Sequence, residues 1–310
     1  MSLALPTSIG PYTVTELIGA GGMAEVYKAF RYGVDDFERP VAIKRILPNY
    51  AEDQSFITMF QAEAKLAGQL HHGNIAQIYN LGRHENTIYM AIEYVEGKDV
   101  SFLLEAAQKA GQHLPLPVVC EIISRVCEGL DYAHRKRGPD GAPLKIIHRD
   151  ISPPNILVSF EGQVKVIDFG LAKAASAASF TQAGMIKGKL AYLSPEQVRA
   201  QPLDPRSDIF AIGIVFWELV TSRRLFRRDT DLDTFDAVRR CEITPPAQIR
   251  ADVPRELEEV MMRALEVERN HRFDSAASMR QHLEQVRFVH GLQCRREALG
   301  DWLRQLAATR

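Results

Sequence analysis

The chain has 310 residues, 46% hydrophobic and 25% charged, which is ordinary globular usage and enough for about two domains. Its 38 Lys plus Arg against 39 Asp plus Glu give a formal net charge of −1, which argues against electrostatically driven nucleic-acid binding. The four cysteines form no C-x-x-C pair, the first residues do not read as a signal peptide, and the longest apolar run (209–220) falls short of the ~20 residues of a membrane span, so a reduced cytoplasmic protein is expected.

Strands are predicted over Tyr12–Ile18, Glu25–Phe30, Pro40–Leu47, Ile75–Leu81 and Thr87–Tyr94, from β-branched and aromatic residues separated by turn residues. One helix interrupts them, because Phe56, Phe60, Ala64, Ala67 and Leu70 recur at helical spacing. From residue 100 onward helical periodicity prevails. Val118, Ile122, Val126, Leu130 and Ala133 share a face, as do Leu257, Val260, Met261, Ala264 and Leu265. Loops are expected at Arg135–Lys145, Ala172–Ser179 and Thr244–Pro254. A strand-rich part followed by a helix-rich part predicts an α+β fold in two lobes, divided near Glu93–Gly97.

Gly19-Ala20-Gly21-Gly22-Met23-Ala24 fits both a dinucleotide fingerprint and a Gly-rich loop that covers phosphates. A fingerprint needs a helix to follow. Here Glu25-Val26-Tyr27-Lys28-Ala29-Phe30 alternates like a strand, so a hairpin fits better. Four further motifs follow in order: Val41-Ala42-Ile43-Lys44, His148-Arg149-Asp150 with Asn155, Asp168-Phe169-Gly170, and Ser194-Pro195-Glu196. Taken singly, Lys44 or Glu63 reads as a solvated surface charge, and Asp168, after an apolar strand predicted over Val164–Ile167, as a turn cap. In this order and spacing the five elements resemble the protein kinase family, and within it the bacterial eukaryotic-like serine/threonine kinases.

That resemblance implies a two-lobed kinase-like fold with a strand-rich N-lobe and a helical C-lobe. A kinase domain would span 12–285, with the N-lobe at 12–92, a hinge at 93–97 and the C-lobe at 98–285. An N-terminal extension (1–11) and a helical tail (286–310) would flank it. The implied activity is transfer of the γ-phosphoryl group of ATP, with Mg²⁺ (or Mn²⁺), to Ser or Thr of protein substrates. Such transfer is chiefly positioning and charge neutralisation. Gly19, Gly21 and Gly22 would let backbone amides approach the phosphates. Ile18, Val26, Ala42 and Ile92 would border the nucleotide, and the backbone of Glu93 and Val95 would bond the adenine. Lys44 would contact the α- and β-phosphates, held by Glu63. Asp150 would take or orient the substrate hydroxyl proton, while Asn155 and Asp168 would hold the metal through hard oxygen ligands.

Structural roles are implied for Asp208, bracing the catalytic loop, and for the pair Glu196 and Arg272. Arg149 implies a phosphate on the activation segment, with Thr181 the first site by position and Ser176 and Ser179 behind it. A second copy would serve trans-autophosphorylation. Three positions depart from the family pattern. Ala24 replaces a glycine, Ser152 the usual lysine and Lys189 the usual threonine. The last two suggest that a cation has crossed the contact beside Asp150, with Lys189 catalytic. The alternative is a pseudokinase, a nucleotide-binding regulatory module, whose best feature is Ser152. An oxidoreductase would require a helix directly after Ala24. In the tail, Leu299, Trp302, Leu303 and Leu306 form one apolar face, expected to pack on the helical lobe or else to dock a partner.

Overall fold

The computed structural model describes residues 5–21, 23–33, 38–169 and 190–309. These cluster into two compact units, one built from 5–72 and 76–95, the other from 73–75, 96–169 and 190–309.

The first unit is an antiparallel sheet of strands β1 (Ser8–Ile9), β2 (Tyr12–Ala20), β3 (Ala24–Tyr32), β4 (Glu38–Ile46), β5 (Ile78–His84) and β6 (Thr87–Glu93), in the order β1-β2-β3-β4-β6-β5. Helix α1 (Gln54–Ala67) crosses it, capped by Asp53, whose carboxylate accepts from the amides of Ser55 and Phe56. Alternation sorts the strand residues between two apolar clusters. Tyr27, Ala29, Val41, Ile43, Tyr89 and Ala91 fill one face; Ile46, Ile88 and Met90 pack with Phe56, Phe60 and Ala64 of α1 on the other. No helix follows the Gly-rich turn: β3 begins at Ala24.

The second unit holds α2 (Val100–Ala110), α3 (Leu116–His134), α4 (Pro195–Val198), α5 (Arg206–Thr221), α6 (Asp231–Arg240), α7 (Arg255–Ala264), α8 (Ala276–Val289) and α9 (Arg296–Ala308). The long apolar run forms α5, which is buried from Ser207 to Thr221 and packs Phe210, Ile214 and Trp217 against Phe226, Val238 and Leu265. Among the described residues no helix is long and apolar enough to cross a membrane.

Two features differ from the sequence reading. A small sheet of β7 (Gly97–Asp99), β8 (Ile156–Ser159) and β9 (Val164–Val166) stands among the helices. Only its last strand is expected from the sequence, by the apolar run Val164–Ile167; β7 and β8 are too short for a period-two signal. The segment expected as a strand from Ile75 begins only at Ile78, because Ile75 is drawn into a bridge with Val166 while the Asn74 side chain donates to the Val164 carbonyl at 2.9 Å.

Candidate active site

In the first unit, strand register assembles the predicted residues. Lys44 lies opposite Val26 on β3 and Met90 on β6, and Ala42 lies opposite Lys28 and Ile92. Period two therefore puts Val26, Ala42, Lys44 and Ile92 on one face, the face that α1 covers. Lys44 Nζ stands 3.8 Å from Glu63 Oε1, with both side chains mostly buried. Gly19 pairs with Val26, and the Gly21 amide donates to the Ala24 carbonyl at 2.9 Å, closing the Gly-rich turn. Ile18, 42% exposed, sits where the β2–β3 register shifts, so packing does not fix it to either face. The Glu93 amide donates to the Gln77 carbonyl (2.8 Å), and Val95 is half-buried beyond the strand end. Gly22 lies outside the described residues.

In the second unit the catalytic-loop candidates are gripped from behind. Asp208, at the first turn of α5 and 1% exposed, accepts from the amides of His148 and Arg149 (2.8 Å each) and pairs with His134 Nε2 at 2.7 Å. Burial pushes its carboxyl up, but the His134 hydrogen bond and charge, His148 and the Arg149 amide outweigh burial and hold it below the ordinary carboxylate value. Burial holds His148 below the ordinary imidazole value, against the pull of Asp208 and Asp150. Its neutral ring then donates from Nε2 to the Ile167 carbonyl (3.0 Å) and accepts at Nδ1 from the Asp150 amide (3.3 Å). One buried ring thus ties the backbone of Asp150 to the residue preceding Asp168.

Asn155, buried beside Asp150, donates from Nδ2 to the Asp150 carbonyl (2.7 Å) and to its Oδ2 (3.1 Å). The Ile167 amide donates back to the Asn155 carbonyl at 3.0 Å. Arg149 and Asp168 have left-handed backbones, φ +66° and +54°. Such conformations cost about 1–3 kcal/mol each and persist where surrounding bonds enforce them. Ser152 is buried, and its hydroxyl donates to the Asp150 carbonyl at 3.3 Å.

Glu196 and Arg272 meet through two bonds of 2.8 and 2.9 Å, both fully buried. Ser207 donates to the same carboxylate (2.7 Å), and the guanidinium also donates to the carbonyls of Glu266, Val267 and Arg206. Burial pushes Glu196 up, but Arg272 outweighs it and holds the carboxyl below its ordinary value.

Lys189, Thr181, Ser176 and Ser179 lie outside the described residues. Two contributors escaped the sequence reading. His134 ends the apolar face of α3, a placement that could have flagged it, and pairs with Asp208. Gln197 donates to the Arg149 carbonyl at 3.1 Å; its Ser-x-x-Gln spacing from Ser194 marks a capping box but not this contact.

Chemically, a carboxylate steered by a neighbouring amide can orient a hydroxyl proton, and a lysine paired to a carboxylate can bind anionic oxygen. Asn155 and Asp168 offer hard oxygen donors. Among the described residues no group of three or more His, Cys, Asp or Glu could hold a metal alone. Two protein donors suit a magnesium ion that shares its remaining positions with phosphate and water.

Residues 12–284 match the protein kinase domain family, a span that stops short of α9. The chain is 42% identical over 275 residues, 89% of its length, to "Tyrosine-protein kinase MasK" of Myxococcus xanthus, and 35% identical over 272 residues, 87% of its length, to "Serine/threonine-protein kinase PrkC" of Bacillus subtilis. It spans only 43% and 39% of those two proteins. Among solved structures, the PknI kinase domain of Mycobacterium tuberculosis (C20A mutant) is similar with a TM-score of 0.68 and 26% identity, covering 92% of this chain and 99% of that one.

Proposed function

The chain belongs to the protein kinase family, and from that premise we propose that it transfers the γ-phosphoryl group of ATP to Ser or Thr hydroxyls of proteins in bacterial signalling. The kinase domain is assigned to 12–285 with its hinge at 93–97. Asp150 orients the incoming hydroxyl and accepts its proton. Lys44, steadied by Glu63, binds the α- and β-phosphates. Gly19, Gly21 and Gly22 cover the phosphates, Ile18, Val26, Ala42 and Ile92 contact the base, and the backbone of Glu93 and Val95 bonds its edge. Asn155 and Asp168 are the residues that would hold Mg²⁺, or Mn²⁺ in its place. When bound, that ion would neutralise phosphate charge during transfer. Arg149 receives a phosphate placed on the activation segment by a second copy, chiefly at Thr181.

The observation that carries this reading is the anchorage of Asp150. Its loop hangs on buried Asp208, and Asn155 steers its carboxylate at 3.1 Å, so the base is oriented before substrate arrives. Purified protein with labelled ATP and Mg²⁺, beside Asp150→Asn, tests it. Label confined to the wild type supports a kinase; none in either supports a nucleotide-binding regulatory module.

A second reading, transfer to tyrosine, is favoured by the printed name of the 42% identical relative. Phosphoamino-acid analysis of the labelled product separates the two.

A further inference from the structure

Helix α9 lies beyond the kinase-domain match, yet it is not a loose appendage. Leu299 and Leu303 are fully buried, Trp302 is half-buried, and the helix packs against β8. Its contact with the β8–β9 turn is backbone against backbone. Gly162, at φ +76°, faces the Arg296 carbonyl so closely that a Cβ there would overlap it. Across the contact, a Cβ on Gly300 would stand 2.5 Å from the Phe160 carbonyl oxygen and 3.0 Å from the Gly162 amide. Two glycines, one on each element, are therefore needed for this approach. Arg296 adds a bond from Nε to the Glu161 carbonyl at 3.0 Å and a 3.4 Å ion pair with the Glu161 carboxylate.

The turn is the closed end of a short hairpin. Its open end carries Asn155, the residue before β8, and Asp168, two residues after β9. Four residues at about 3.3 Å each put the turn only ~13 Å along the strand from Asn155. The hairpin is itself stiff: the Ser159 amide donates to the Gln163 carbonyl, Gln163 to the Ser159 hydroxyl, and Ile167 to the Asn155 carbonyl. A displacement imposed at the turn is thus carried along a hydrogen-bonded ladder to the two oxygen donors.

We propose that α9 is a positioning element for the reaction: by seating Gly300 against Gly162 it fixes the β8–β9 hairpin and thereby the spacing of Asn155 and Asp168. This rests on the reading of those two residues as the metal donors. A kinase domain held this way has its metal site set from its C-terminal flank, and whatever draws α9 off the turn lowers metal engagement without touching a catalytic residue.

The test uses the full chain with Gly300→Leu, and with Gly300→Ala as the milder variant that raises helix propensity while adding only a Cβ. Gln305→Ala, on the exposed side of α9, is the control. Hydrogen exchange without ligand comes first. Release of α9 should speed exchange at residues 156–159 and at Ile167 by about tenfold or more, while α5 keeps its protection. Free exchange in α9 with the hairpin as protected as in wild type overturns the proposal. If Gly300→Leu exposes every amide, Gly300→Ala supplies the same comparison. Calorimetry of ADP with and without Mg²⁺ comes second. The variants should lose about tenfold of the tightening that Mg²⁺ gives wild type, with metal-free ADP affinity unchanged. Equal Mg²⁺ tightening in a variant whose hairpin exchanges fast also overturns it. If Mg²⁺ tightens ADP equally in wild type and in Asn155→Ala, or in neither, the metal-site reading fails, and the exchange data alone judge the hairpin coupling.

Discussion

Two acid–base pairs occupy the two units, and they are built to opposite specifications. Glu196 and Arg272 are joined by two short bonds in a dry interior, with Ser207 and three carbonyls satisfying what remains. Lys44 and Glu63 stand 3.8 Å apart and keep 16% and 11% side-chain exposure. The first pair is saturated and offers nothing to a ligand. In the second, a point charge on a flexible stem meets its carboxylate by a longer contact and with some solvent access, so the lysine can reach an anion while its partner limits where it swings. Saturation marks structure, and a looser contact between charges marks function.

The sharpest way to break this contrast is to remove a charge on the functional side. Asp168→Asn and Lys44→Met should each lower kcat/KM by about 10⁴ or more, over 5 kcal/mol, because single charges at a transferring phosphoryl are worth ~10³–10⁵. Thermal unfolding should barely change, since neither side chain closes a core. Near-normal turnover in either variant would sink the assignment.

On the structural side the effect moves from rate to stability. Arg272→Leu strands Glu196 as a buried charge, and urea unfolding near neutral pH should show a loss of about 3–5 kcal/mol. Glu196 has a depressed pKa when folded. Its contribution is present above the unfolded value, near 4.5, and fades as pH falls through the lower folded value. The penalty of Arg272→Leu should therefore shrink on acidification below about pH 4.5. A penalty that stays constant or grows instead would mean that Glu196 is not the stranded charge.

Asp208 stands between the two types, a saturated carboxylate that serves a functional loop. Asp208→Asn replaces one acceptor by a donor facing the amides of His148 or Arg149, and should cost about 1.5–3 kcal/mol of stability. It should also lower kcat more than it raises the KM for ATP, because it loosens Asp150.

How far these features were legible depends on their range along the chain. Val26, Ala42, Lys44 and Ile92 share a face by strict alternation, and Glu63 follows from the apolar spacing of α1; both are local patterns. The bonds from His134 and Gln197 cross 74 and 48 residues and leave no periodic trace. Of the β7–β9 sheet only the apolar run Val164–Ile167 was legible; β7 and β8 were hidden because they are shorter than one reliable alternation. The apolar face of α9 was legible as Leu299 and Leu303, but its seat was not: only the facing glycines show that it rests on the β8–β9 turn. The two-lobed α+β architecture survives all of this, because it depends on composition over tens of residues and not on any single contact.

The smallest expected effect is the most discriminating. If the Lys44–Glu63 pair were a stability device, Glu63→Gln would resemble Arg272→Leu. The 3.8 Å contact lacks the two short bonds of the saturated pair and is worth ~1 kcal/mol at most, so unfolding should shift by no more than that. The glutamine keeps the length and an acceptor but no charge, so at this contact a dipole alone holds Lys44. Its ammonium should then sample more rotamers, and ATP would have to pay that ordering on binding. The KM for ATP should rise by roughly tenfold, about 1.4 kcal/mol, a change larger than the change in stability. Raising salt should change the gap between wild type and variant little, since a mostly buried pair is screened far less than an exposed one. A stability loss of several kcal/mol with an unchanged KM would place Glu63 among the saturated structural groups and undo the comparison.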